Sequence, residues 1–354
     1  VEDIMSHQFT PLTRSKRRKD ARLLVLEGRT QHIHHRHIEH VGDFLNKGDL
    51  LVVNDAATLP SSFLGTHLPS GRQIELRLAS NLGTTPDDVS EWLAVVFGEG
   101  DWHMKTEDRP APPHCRAGEK LHFGDGLIGT LMMVSTQSPR LVSVRFRAKD
   151  GELWRALYKH GKPIQYSYHE EPLEVWDQQT IFSGPPIAVE PPSSGFHLRW
   201  EWLLSLRQKG VQIAPISHAT GLSTTGDEDL DKRLPFPERS YIPKSTAVTI
   251  KRTKETGRHV FALGTGVTRA LESAVLPDLS GVTSGAFVSR VKLHPDFPRF
   301  IVDGLFTGLH DAGSSHIELL NSFVSTSLLE QGYQQAQQLG YYGHEYGDTC
   351  LITA

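Results

Sequence analysis

The pattern of apolar and polar positions changes along the 354 residues of the chain. Residues 22–54 carry short strand candidates and end in the apolar run Leu50-Leu51-Val52-Val53, followed by Asn54-Asp55. Between residues 72 and 147 the alternation has period two. Ile74, Leu76 and Leu78 interleave with Gln73, Glu75 and Arg77, and Val142, Val144 and Phe146 interleave with Ser143 and Arg145. Such alternation predicts half-buried strands. Trp92 to Phe97, the Pro-rich loop Arg109 to Pro113 and the turn Gly124-Asp125-Gly126 lie between them. Short strands with frequent turns point to a small barrel or sandwich.

From about residue 180, strands and helices alternate. Ile187-Ala188-Val189 precedes a helix near Phe196 to Lys209, whose Leu198, Trp202, Leu203 and Leu206 share a face and which Gly210 stops. Val211 to Ile216 is the next strand. Val260 to Leu263 precedes a helix containing Arg269 to Ala274. Phe300 to Leu305 precedes a helix whose start reads as the capping box Ser315-His316-Ile317-Glu318, with Ile317, Leu320, Phe323 and Val324 on one side. The pattern predicts an α/β fold, a mixed sheet covered by helices, with an inserted small antiparallel β-barrel domain. The expected limits are 1–58 and 152–354 for the α/β domain and 59–151 for the insert.

Composition narrows the class. The charged and apolar fractions, 22% and 38%, exclude global disorder. No apolar run reaches the ~18 residues of a membrane span, and the first residues carry no apolar signal core. Two cysteines are too few for a disulfide framework or a thiolate zinc site, and a cytoplasmic location fits. A net charge of −4 speaks against a general nucleic-acid binder. The one dense basic run, Arg14, Lys16, Arg17, Arg18, Lys19 and Arg22, reads as a solvated arm that can also meet a phosphate backbone.

In open α/β sheets, ligands bind beyond the carboxyl ends of the strands. Four such loops combine glycine or a small residue with a hydroxyl or imidazole: Pro192 to His197, Ser217 to Gly221, Gly264-Thr265-Gly266 and Thr307 to His310. Their succession suggests one convergent site. Gly264-Thr265-Gly266 lacks the full dinucleotide spacing, and a plain tight turn reads equally well. Arg269 can pair with a carboxylate ligand or with a neighbouring side chain. His197, His218 and His310 each close a strand-end loop, where a structural hydrogen bond and catalysis are equally open. His32, His34, His35, His37 and His40 have no acidic partner set in sequence, and strand alternation splits them between two faces, so they read as a solvated strand. No P-loop, G-x-S-x-G elbow, H-E-x-x-H or C-x-x-C occurs.

Read in order, these segments resemble the S-adenosylmethionine:tRNA ribosyltransferase-isomerase family of the queuosine pathway. The resemblance runs through Arg22 to Leu26, Gly48 to Asp55, Ser70-Gly71 with Ile74-Glu75, and Phe123 to Gly126. His160-Gly161 and Pro163 resemble the family's HGxxPLPPYI, and Ser194-Gly195-Phe196-His197 its PTAGLHF. Gly264-Thr265 with Arg269, Leu271, Glu272 and Ser273 resembles GTTxxRxLES. Asp303 and His310 fall on the D-x-L-x-T-N-F-H segment, and Tyr346-Gly347-Asp348 on SYGD.

The resemblance implies an α/β domain with an inserted barrel, and S-adenosylmethionine as a co-substrate, with no metal. It implies that the ribosyl part passes to the 7-aminomethyl-7-deazaguanine of tRNA while adenine and methionine leave. On these positions the expected proton-transfer residues are Glu238, His218 and His310, and Gly264, Thr265, Gly266 and Arg269 are expected to hold S-adenosylmethionine. Asn54, Asp55, Ser194, Gly195, His197, Tyr346 and Asp348 are further substrate-binding candidates.

Departures concentrate in the loops. NDTRVIPARL becomes Asn54-Asp55-Ala56-Ala57-Thr58-Leu59-Pro60-Ser61-Ser62-Phe63, without either arginine. Phe236 replaces the histidine of MHxE while Glu238 stays, and TNFHLPxS becomes Thr307 to Ser314. Loops that change while the scaffold stays suggest a changed substrate: transfer to tRNA follows the family, whereas a small-molecule acceptor, or simple lyase-type cleavage of S-adenosylmethionine, follows the lost arginines. The missing positive charge points the same way. The alternative is a non-catalytic relative that binds S-adenosylmethionine or RNA; a metal-binding protein built on the histidine run is the weakest reading.

Overall fold

The run Leu50-Leu51-Val52-Val53 is buried on both faces, as a central parallel strand requires. In the computed structural model, which describes residues 8–14, 20–83, 88–312 and 314–354, it sits inside a nine-stranded sheet. The order is Gly285–Ser289, Glu238–Ile242, Gln212–His218, Leu50–Asn54, Val260–Leu263, Gly304–Gly308, Thr349–Thr353, Arg22–Glu27 and His32–His37. The four strands from Gln212–His218 to Gly304–Gly308 run parallel. Antiparallel pairings flank them on both sides.

Strand alternation divides the core in two. Leu50, Val52, Ala262, Leu305 and Ile352 pack with Ile250, Val267, Leu271, Leu320 and Leu329 on one face. Leu51, Val53, Leu263, Phe306 and Leu351 meet Leu198, Leu203 and Leu206 on the other. Helices therefore cover both faces of a mixed sheet, the α/β class that the sequence pattern predicts.

Six antiparallel strands close the barrel in the order Ile128–Val134, Leu141–Arg147, Glu91–Phe97, Arg72–Asn81, Ser62–His67 and Lys120–His122. Phe63, Phe123 and Phe146 meet inside it at ring separations of 5.4 to 5.8 Å. Its apolar cluster continues past the last strand into Leu157, Val189, Leu222 and Phe236, so later segments are packed onto the barrel. Glu75 is buried on this side and receives Arg77 Nε at 2.8 Å and Arg109 Nη1. Burial alone would raise the Glu75 pKa, but the two guanidiniums overcome it and hold the carboxyl below its usual value.

Several elements differ from the sequence expectation. The helix expected from Phe196 begins at Trp200, because Ser193–Gly195 forms a separate 3-10 turn. Gly210 stops it in the left-handed conformation at φ 91°, as expected. Pro186–Ala188 pairs with Ala57–Thr58 and stays out of the main sheet. The Ser315–Asn321 helix follows Ser314, which makes no side-chain cap; the Ser315 side chain of the expected capping box lies outside the described residues.

The strand expected at Phe300 to Leu305 begins only at Gly304. The cause is Glu272, whose buried carboxylate accepts the backbone N–H groups of Phe300, Ile301 and Val302 at 3.0, 3.1 and 2.8 Å. Donors satisfied by a side chain are not available to a sheet ladder. Glu272→Ala orphans three N–H groups, two of them in buried contacts, and at about 1–3 kcal/mol each is expected to cost at least about 3 kcal/mol, measured by urea denaturation.

Candidate active site

The parallel strands deliver their carboxyl ends to one place. Asn54 follows the first of them and anchors the next loop: its Nδ2 donates to the His218 carbonyl at 2.9 Å, and its Oδ1 accepts the His218 N–H at 2.9 Å. Asp55 accepts the Ser217 hydroxyl at 2.6 Å. Burial raises the Asp55 pKa, partly offset by that hydroxyl. These two candidates hold the 217–221 loop.

His218 is wholly buried, and its Nδ1 meets Ser240 Oγ at 2.8 Å, which in turn meets Ser289 Oγ at 3.0 Å. Its Nε2 lies 3.0 Å from Glu238 Oε2, in ion-pair contact but off the direction of a hydrogen bond. Glu238 Oε1 accepts the Gly221 N–H at 2.6 Å, and Oε2 receives Arg269 Nη1. Burial pushes the Glu238 pKa up, yet Arg269 and then His218 outweigh it and bring it to about 2. An acid this strong is a weak base at neutral pH. Glu238 is thus held ionised between the Arg269 guanidinium and the His218 ring. The Arg269 guanidinium donates to Glu238 and to the Val291 carbonyl, the latter at 3.1 Å.

Gly264 has φ +98°, a conformation that L side chains rarely adopt, and starts the Thr265–Ser273 helix. Ser194 lies against it, with Oγ 3.3 Å from the place a Cβ would take. At Gly266 a Cβ would stand 2.7 Å from His218 Cδ2, so only glycine lets the helix start approach the imidazole. Thr265 and Gly266 keep partial exposure at this N-terminus, where free N–H groups and the helix dipole favour anionic ligand groups. Gly266→Ala is expected to displace His218 and to destabilise by about 1–3 kcal/mol; an unchanged thermal midpoint and an unchanged His218 NMR signal would refute the contact.

His310 is half-buried: Nε2 meets Thr307 Oγ1 at 2.8 Å and the ring stacks on His316 at 4.2 Å and 1°. Burial and then His316 push the His310 pKa well down. Burial and then Arg269 bring His316 to about 4. Two neutral imidazoles therefore adjoin the Arg269–Glu238 pair at pH 7.

The remaining candidates have partners within the chain. Gly195 packs against Thr180, and His197 is buried. Tyr346 stacks on Phe196 at 5.0 Å, and its hydroxyl donates to the Asp177 carbonyl at 3.2 Å. The Asp348 carboxylate accepts Arg22 N at 2.7 Å, Arg22 Nη2 at 3.1 Å and Tyr342 N at 2.9 Å. It ties the Arg22 and Tyr342 strands together. In the basic run, Arg14 pairs with Asp177 at 2.9 Å; Lys16 to Lys19 lie outside the described residues.

One acidic residue went unread in the sequence. Glu190 is 8% exposed, and its Oε1 accepts the Tyr166 hydroxyl and, at 3.1 Å, the Ser223 N–H. Burial raises its pKa to about 7 against those hydrogen bonds. Gly221 binds Glu238 and Ser223 binds Glu190, so the 218–223 loop separates an ionised carboxylate from one that titrates near neutrality. Tyr168 extends the cluster, its ring tilted against that of His344 at 4.5 Å between centroids. No motif marks Glu190; its only sequence sign is an acidic residue immediately before Pro191-Pro192.

The queuosine biosynthesis protein family model matches residues 5–352. The chain belongs to that family. The S-adenosylmethionine:tRNA ribosyltransferase-isomerase of Syntrophotalea carbinolica is 30% identical over 338 residues, covering 95% of this chain and 93% of that one. The enzyme of the same name from Staphylococcus saprophyticus is 28% identical, covering 97% and 95%. A crystal structure of S-adenosylmethionine tRNA ribosyltransferase from Thermotoga maritima shares the fold, at TM-score 0.50 and 21% identity, over 98% of this chain and 99% of that one. The resemblance read from the sequence is therefore correct at the level of the family. No helix among the described residues is long and apolar enough to cross a membrane.

Proposed function

We propose that this chain is a cytoplasmic enzyme that uses the ribosyl part of S-adenosylmethionine, releasing adenine and methionine, and passes it to a small-molecule acceptor in place of the 7-aminomethyl-7-deazaguanine of tRNA. The observation that carries the catalytic part is that one loop binds two buried carboxyls in different settings, Glu238 with Arg269 and the Gly221 N–H, Glu190 with the Tyr166 hydroxyl and the Ser223 N–H, which drives their pKa values apart. Divergent pairs of this kind separate a fixed charge from a proton carrier.

Thr265 and Gly266 offer the helix start to the polar end of S-adenosylmethionine, beside Ser194. The sulfonium acidifies the adjacent C5′ hydrogens, and His218, oriented by Ser240 and held by Glu238, is positioned to receive that proton. Glu190, with Tyr166, supplies the proton that the departing adenine requires. His310 and His316, neutral at pH 7, hold the wall beside Arg269 without adding charge. This scheme calls for no metal.

The acceptor argument rests on the lost arginines. Ala57 stands at one of the two positions, and Ser62 at the other donates its hydroxyl to Glu75 at 2.6 Å. Neither can neutralise a phosphate. The domain limits of 1–58 with 152–354 and of 59–151 belong to the same proposal, with Leu157, Val189, Leu222 and Phe236 of the larger domain packed into the barrel's apolar cluster.

The test incubates the purified chain with S-adenosylmethionine, with and without tRNA bearing the aminomethyl-deazaguanine, and follows adenine and methionine by mass spectrometry. Release without tRNA supports the proposal. Release only with tRNA restores the acceptor of the relatives. Binding without release makes the chain a non-catalytic sensor, and no binding ends the assignment.

A further inference from the structure

The histidine-rich segment forms the outermost strand of the main sheet, His32–His37, paired antiparallel with Arg22–Glu27. Its partial exposure agrees with a solvated strand. Alternation, which separates the histidines, also gathers them: His32 and His34 are two residues apart and therefore share a face. The register places Glu27 opposite His32 and Val25 opposite His34. The acidic partner missing from the linear sequence thus arrives across the hairpin.

The geometry suits a metal ion. Glu27 Oε2 lies 3.8 Å from His32 Nδ1 and 3.7 Å from His34 Nε2. One ligand atom from each residue falls within 4.8 Å of the other two. A tetrahedral ion with bonds of about 2.0–2.2 Å holds its ligands about 3.4 Å apart, a few tenths of an ångström inside the two carboxylate–imidazole separations. His34 Nε2 is buried and makes no hydrogen bond within the protein. Buried polar nitrogens ordinarily have a partner, and an ion against Glu27 provides one. Thr30 Oγ1 donates to the same Glu27 oxygen at 2.6 Å and helps fix the carboxylate. On the other strand face His35 is already engaged by Tyr341 and Gln335, so it is not a competing ligand.

We propose that Glu27, His32 and His34 form a surface site for one divalent transition-metal ion of the zinc class, with a fourth position open to water. Two imidazoles and one carboxylate favour zinc over magnesium or calcium, which prefer all-oxygen shells. The ion clips the hairpin that ends at the sheet edge. It is separate from the proposed active site and does not enter its chemistry.

The test is calorimetric titration of the untagged, metal-stripped full chain with zinc chloride. The expected result is one ion per chain, with at least tenfold weaker binding in His34→Ala and Glu27→Gln. His37→Ala and His40→Ala, outside the triad, are expected to bind as the parent does. Zinc is also expected to raise the thermal midpoint of the parent but not of Glu27→Gln, whose near-isosteric side chain keeps the hairpin foldable. Absence of saturable binding below millimolar zinc overturns the site. Equal affinity in parent and Glu27→Gln, or equal losses in His37→Ala and His34→Ala, overturns it as well, leaving diffuse histidine binding.

Discussion

Arg269→Ala is expected to lower the unfolding free energy at pH 7 by about 3–5 kcal/mol, the usual cost of leaving one member of a buried ion pair alone. Arg269 and Glu238 are only 6% and 4% exposed, so solvent does little to replace the lost partner. The pH dependence identifies the cause. In the native chain Glu238 titrates at about 2, below its reference value of 4.5. Its contribution is complete above about 4.5 and disappears as the pH falls toward 2. Without Arg269 the carboxyl loses the larger of the two influences that held it down, so it protonates at higher pH. The deficit of the variant should therefore shrink as the pH falls from 4.5. His316 should move in parallel, rising from about 4 because Arg269 helps to depress it, and its ring signals report this by NMR. A deficit under about 1 kcal/mol at pH 7, or one independent of pH, would show that the ion pair does not organise this site.

The limits of sequence reading follow from where each interaction lies along the chain. Leu50 to Val53 and Ile74 to Leu78 show their environment in their own periodicity, so sheet and barrel were legible. Phe300 to Val302 have strand-like side chains, yet their N–H groups answer to Glu272, about thirty residues away; periodicity carries no sign of such a capture. The convergence of Asn54, His218, Gly264 and His310 was readable because the carboxyl ends of parallel strands lie at one edge of a sheet. Their division of labour was not. Whether Arg269 meets a ligand or Glu238 depends on a contact between a helix and an antiparallel strand, and Asp348 was taken up by Arg22 from the other end of the chain. The histidine run shows the same limitation at the surface, where the third member comes from across the hairpin.

Glu190 presents the sharpest case, and its replacement by glutamine is expected to act in opposite directions on activity and stability. The glutamine carbonyl oxygen can still accept from Tyr166 and from Ser223 N–H, so the local packing is kept. What is lost is the titrating proton. Adenine release from S-adenosylmethionine should fall by about 10²- to 10⁴-fold, the range of a positioned acid or base, with binding little changed. Stability should move the other way. The native pKa of about 7 lies above the reference 4.5, so the folded chain holds this proton more tightly than the unfolded chain does. Ionising Glu190 in the native state therefore costs nothing below about pH 4.5, a growing amount from there to about 7, and a constant amount above. At about 1.4 kcal/mol per pH unit, the gap amounts to about 3 kcal/mol. Glu190→Gln should accordingly gain on the parent as the pH rises from 5 to 8, read as the difference between urea midpoints at each pH. Such a variant, more stable and less active, is what a site that stores strain for function would yield. Full turnover in Glu190→Gln would remove the residue from proton transfer, and a pH-independent stability difference would return its carboxyl to the ordinary range.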